Sequence, residues 1–187
     1  SDELGFKPES FRLSGMLVLY NNMLQSLFDS QIKTIAVVFS IIFIMFLFIF
    51  KSISLSILAL IPNILPSLFI LGIMGWMGIP LDLMTITISA IAIGIGVDNA
   101  IHYIHRFKSE FQKDSDYMKT MYRSHTSIGL AMFYTSITVA LGFLIFALSN
   151  FIPSIYFGVF TAIAMLSALL ANLTLLPKLI LIVKPKI

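Results

Sequence analysis

Cysteine is absent from the 187 residues, which excludes a disulfide framework and any thiolate metal site. Charge is scarce as well. Asp, Glu, Lys and Arg together make up 11% of the chain, against roughly 25% in a soluble globular domain. No phosphate-cradling glycine loop, nucleophile elbow or H-E-x-x-H helix occurs, so nothing in the sequence hydrolyses ATP and work would have to come from an ion gradient. The first thirty residues lack a basic stretch followed by an apolar core and so do not form a signal peptide.

What fills the chain instead is 58% hydrophobic residues, gathered in runs long enough to cross a hydrocarbon layer of about 30 Å. The fold class expected is all-α: a polytopic membrane helix bundle with about five transmembrane helices. The spans fall at 32–50, 53–76, 83–105, 126–149 and 154–183 within a transmembrane domain covering 31–187. Short breaks at Lys51-Ser52, Gly78 to Asp82 and Asn150 to Pro153 make neighbouring spans antiparallel. Residues 106–125, rich in charge, read as a partly helical cytoplasmic hairpin. Pro62 and Pro66, with Asn63 between them, are expected to kink the second span.

Residues 1–30 read as the end of an extracytoplasmic domain followed by an interfacial helix. In that helix Phe11, Leu13, Leu17, Leu19, Leu24, Leu27 and Phe28 alternate with Asn21, Asn22, Gln25 and Ser26. Orientation follows from the basic residues. Lys51, Arg106, Lys108, Lys113, Lys119, Arg123, Lys178, Lys184 and Lys186 fall on one side, against Lys7, Arg12 and Lys33 on the other. The richer side is read as cytoplasmic, which puts the N-terminal segment outside and the C-terminus inside a cell inner membrane. A net charge of +3 spread over span ends points to membrane lipids as partners and not to a nucleic acid.

The chemistry concentrates in Ile93 to Phe107, where Asp98 stands inside an apolar helix. A charged side chain at that depth costs roughly 2.5–3.5 kcal/mol on insertion scales and marks a functional position by default. Burial there would favour proton uptake at physiological pH, the requirement of a proton-coupling group. A carboxylate bonded to a neighbouring helix for assembly alone is the competing reading. Gly94 and Gly96 are helix-packing candidates because small residues let a facing helix approach. The fourth span carries Tyr134, Thr135, Ser136 and Thr138, and Thr135 or Thr138 is expected to face Asp98.

His102 and His105 follow at i+4 and i+7 on the same helical face and could carry protons toward Asp98 or simply sit at the headgroup boundary beside Arg106. Asn99 points to another face. One helix face supplies too few converging ligands for a metal site, and no cofactor beyond the coupling proton is expected. Asp98 is the sole acid inside the spans, which excludes an aspartyl dyad within this chain; no enzyme activity is expected.

The run GIPLDLMTITISAIAIGIGVDNAIHYIHRF, followed by TSITVALGFLIFALSNFIPSIYFGVFTAIAMLSALLANLTLLPKLI, resembles the transmembrane part of resistance-nodulation-division transporters, closest to the MMPL and hopanoid-exporter-like branch. The most specific element is Gly94-Ile95-Gly96-Val97-Asp98. The resemblance runs from about Leu13 to Ile182 and implies the last five helices of one repeat, taken as the C-terminal one. It further implies export of lipids or other hydrophobic molecules driven by the proton-motive force. Asp98 would carry the proton with the fourth-span hydroxyls, Thr135 and Thr138, near it, and the other repeat, or a homo-oligomer, would complete the machine. Asn99 stands where many MMPL-type members have Tyr, so a Tyr-assisted relay does not carry over. A lipid- or sterol-sensing or scaffolding module of the same fold is the alternative.

Overall fold

A computed structural model describes residues 15–79 and 83–185. The expected extracytoplasmic tail, with Phe11, Leu13 and Arg12, and the centre of the turn around Asp82 lie outside those residues. Every described element is helical. Helix α1 is Met16–Phe50, α2 Ile53–Trp76 and α3 Leu83–Phe111; α4, Tyr117–Ser124, continues through a π-helical turn, His125–Gly129, into α5, Leu130–Leu144. A 3-10 turn, Ile145–Leu148, closes that rod. Helix α6, Ile152–Leu170, passes through a second π turn, Ala171–Leu175, into α7, Leu176–Val183. Five stretches are long and apolar enough to cross a membrane: Ile32–Phe50, Ile53–Trp76, Thr87–Phe111, Tyr117–Leu148 and Ile152–Val183.

Local chemistry sets the breaks. Lys51 adopts a left-handed conformation, φ 52°, and its N–H closes on the Leu47 carbonyl, so α1 stops and Ser52 starts the return. Asp116 caps α4 by accepting from the backbone N–H groups of Met118 and Lys119. Pro153 occupies the first turn of α6, where its missing N–H leaves no bond unmade. Pro62 and Pro66 lie inside α2, which remains one helix across both.

Two departures from the sequence reading concern lengths. Helix α3 runs six residues past 105, and the non-helical link in the hairpin shrinks to 112–116. The segment read as an interfacial helix is the first part of α1, with no break before the first span.

The centre of the bundle is α2, α3 and α6, with α5 packed on α6 and α1 on α2. Its interior has two apolar clusters. One, toward the end that holds Lys51 and the hairpin, contains Phe46, Leu55, Ala59, Val97, Ile104, Phe107, Leu169 and Leu176. The other, toward the opposite end, contains Ile70, Met74, Ile88, Ala92, Phe160 and Ala164. In lipid such helices are held together by packing of small and polar residues more than by apolar burial, since the surroundings are equally apolar. The close contacts are therefore the informative ones. At Gly158 an added methyl group would overlap the Phe143 carbonyl and Phe146, so α5 and α6 touch through a glycine.

Candidate functional site

Helix α3 has two unlike faces. Ala92, Ile93, Gly96, Val97, Asn99, Ala100, Tyr103, Ile104 and Phe107 are buried on the face that α3 turns to the bundle, chiefly toward α2 and α6. Ala90, Gly94, Asp98, His102, His105 and Ser109 are exposed and recur at three- and four-residue spacing, one stripe along the helix.

Asp98 lies at mid-span but turns outward. Its side chain is 70% exposed, where the sequence reading placed it in the interior. The His102 ring lies beside it, with Nε2 3.4 Å from Oδ1. The rotation of α3 explains the orientation, because the neighbouring helices grip the opposite face. Asn63 Oδ1 from α2 fills the space a Cβ on Gly96 would need. Asn172 Nδ2, from the π turn after α6, donates to the Gly96 carbonyl at 3.3 Å and to the Ala168 carbonyl at 3.0 Å. Two residues along an α-helix is about 200° of rotation, so a grip on Gly96 holds Asp98 pointing away from its own bundle.

The other expected site residues separate. Gly96 packs, whereas Gly94 has open space where its side chain would be. Helix α6 stands beside both α3 and α5. Thr135 is exposed and its hydroxyl donates to the Ala131 and Met132 carbonyls of its own helix at 3.1 Å each. Thr138 is likewise exposed. Within this chain, then, Asp98 gathers His102 alone of the expected group. His105 is exposed on the same stripe. Among the described residues no three His, Asp or Glu side chains converge as a metal site would require.

Sequence reasoning passed over the polar work at the C-terminal end of α3. Glu110 is 2% exposed and meets Arg106 at 2.9 Å, Lys113 at 2.8 Å and Arg123 at 2.9 Å. Arg123 also donates through Nη1 and Nη2 to the two oxygens of Asp114, both at 2.9 Å. That bidentate pair lowers the Asp114 carboxyl to about 2, helped by the backbone N–H of Asp116. Two residues beyond Arg123, His125 Nε2 lies 2.8 Å from the Leu173 carbonyl and Nδ1 3.0 Å from the buried Tyr103 hydroxyl. Nε2–H donating to Leu173 while Tyr103 donates to Nδ1 satisfies both contacts. Asn63 and Asn172 carried a usable signal, since an amide inside an apolar run needs a partner.

A family model for the MMPL family matches residues 10–185. The chain belongs to the MMPL family. MMPL proteins form a branch of the resistance-nodulation-division superfamily. A relative from Methanocaldococcus jannaschii, MJ1562, whose name describes it as a membrane protein, is 32% identical over 155 residues, 82% of this chain. The chain spans 40% of that relative's length. As an MMPL membrane part, it presents the Asp98 face of α3 at its surface, with the glycine and asparagine grip behind it.

Proposed function

We propose that this chain is the proton-coupling membrane part of a transporter that exports lipids or other hydrophobic molecules, with Asp98 as the group that takes up and releases the proton. The observation that carries the reading is the outward stripe Ala90, Gly94, Asp98, His102. A carboxylate in contact with lipid at mid-span is unfavourable by roughly 2.5–3.5 kcal/mol on insertion scales, and small residues beside it suit close approach of another helix. The face therefore fits a protein partner: the other repeat of the same transporter, or a second copy in a homo-oligomer. MMPL membership supports transport, and energy comes from the proton gradient with no further cofactor. The reading places the protein in the cytoplasmic membrane, with α1 entering from the extracytoplasmic side and the C-terminus inside, on the distribution of Lys and Arg.

The test is gradient-driven export by the full-length protein in proteoliposomes, comparing Asp98 with Asp98→Asn at matched incorporation. Loss of pH-gradient dependence with the fold retained supports the proposal. Unchanged gradient-driven export would overturn it and leave Asp98 an assembly residue.

A further inference from the structure

Hydroxyl side chains in membrane helices ordinarily bond back to a carbonyl of their own helix, and several here do. Ser40 donates to Ala36, Ser56 to Ser52, Ser167 to Ala164 and Thr174 to Leu170, all between 2.6 and 2.8 Å. Ser67, Ser89 and Thr161 do not. They are 3%, 0% and 0% exposed, and none of the three hydroxyls has a hydrogen-bond partner among the described residues.

Their placement is not scattered. Ser67 belongs to α2, Ser89 to α3 and Thr161 to α6, the three helices of the core. Gly96 and Ala168 approach each other across α3 and α6. Seven residues earlier on each helix, two turns toward the end away from Lys51, stand Ser89 and Thr161. Their neighbours Ile88 and Phe160 share one apolar cluster with Ile70 of α2, one turn from Ser67.

At the level of Gly96 a second set of unpartnered atoms occurs, Asn63 Oδ1 and Asn172 Oδ1, with Asn99 Nδ2 one turn on along α3. The amide orientations are fixed, because Asn63 Nδ2 donates to Ala59 at 2.7 Å and Asn172 Nδ2 to Ala168 and Gly96. On α2 these polar residues fall between Ala59 of the first apolar cluster and Ile70 of the second.

Buried polar atoms are almost always paired, so these six atoms, five on α2, α3 and α6 and one on the π turn that follows α6, call for a guest. It must donate to the amide oxygens and accept from the hydroxyls and Asn99 Nδ2. A metal ion satisfies oxygens but offers nothing to the Asn99 donor, and an acyl chain offers neither function. Water does both, and a buried water typically makes about three such bonds. We propose that α2, α3 and α6 bind a cluster of water molecules at mid-membrane, held by Ser67, Ser89 and Thr161 with Asn63, Asn99 and Asn172. The helix that bears Asp98 then has a hydrated inner face. This site stands whether or not Asp98 carries protons.

Shared water couples residues that do not touch. In the full-length protein in lipid nanodiscs, Ser89→Ala and Thr161→Val are each expected to favour unfolding by dodecyl sulfate several-fold. The double variant should depart from the product of the two by more than about threefold, and Thr161→Ser should behave like the parent. Water-to-protein magnetisation transfer in solid-state NMR of the unaltered protein should reach the Thr161 side chain, a readout that needs no variant to fold. Independent or stabilising effects of the substitutions, or no transfer from water to Thr161, would overturn the proposal.

Discussion

His102 Nε2 lies 3.4 Å from Asp98 Oδ1 on the face that α3 turns away from its own bundle. The two are neighbours on one helix, and 3.4 Å is longer than the roughly 2.7–3.2 Å of an N–H···O hydrogen bond, so His102 does not fix the position of Asp98. His102→Gln is therefore expected to keep gradient-driven export within about threefold of the parent, whereas Asp98→Asn removes it. Equal loss in both variants, measured in the same proteoliposomes, would put His102 in the obligatory proton path.

Three glycines separate cleanly by what surrounds them. A methyl group on Gly96 would overlap Asn63 Oδ1, and one on Gly158 the Phe143 carbonyl and Phe146, while Gly94 has open space. Gly96→Ala is expected to destabilise by about 1–3 kcal/mol, the usual range for overpacking. Gly158→Ala should lose at least as much, because its neighbours there include backbone. Gly94→Ala should leave stability within about 0.5 kcal/mol yet impair assembly if a partner helix lies against the stripe. Unfolding midpoints for the three variants, with oligomer or repeat association for Gly94→Ala, decide between these.

The five-helix membrane architecture was legible because long apolar runs have no soluble alternative, and because Lys51-Ser52 and Pro153 stand where turns begin. The direction Asp98 faces was not legible. It depends on Asn63 and Asn172 gripping Gly96 from two other helices, which no local pattern in α3 encodes. The continuation of α3 to Phe111 was hidden for a related reason: Glu110 among Lys and Arg looks like a solvated loop until the fold buries it at 2% exposure. The π turns at His125–Gly129 and Ala171–Leu175 likewise have no breaker residue to announce them, although each positions a functional-looking side chain, His125 and Asn172.

Glu110 and Asp114 share Arg123 but should respond differently to its removal. Glu110 is enclosed by three cations, so Glu110→Ala leaves Arg106, Lys113 and Arg123 facing one another. It should lower the unfolding midpoint more than Asp114→Ala, whose carboxylate is a third exposed. The acid limb follows from the sign of the shift. The folded Asp114 carboxyl titrates at about 2, below its usual 3.8, so the stability it contributes is complete above about pH 4 and lost as pH falls through about 2. Arg123→Gln should return Asp114 toward its ordinary range in a carbon-13 carboxyl titration; an unchanged midpoint would show that the guanidinium is not the cause.

Tyr103 on α3 and His125 in the π turn before α5 tie these two elements together. The hydroxyl is buried, lies 3.0 Å from Nδ1, and its ring stands edge-on to the imidazole at a centroid distance of 5.5 Å. Tyr103→Phe keeps the ring and its packing against Phe107 but removes the donor. Nδ1 is then left with the Met121 carbonyl at 3.1 Å, an acceptor facing an acceptor in the tautomer that donates from Nε2 to Leu173. Tyr103→Phe is therefore expected to cost about 1 kcal/mol, read as a lower unfolding midpoint. A neutral effect would mean that the Tyr103 hydroxyl does not hold the π turn to α3 at all.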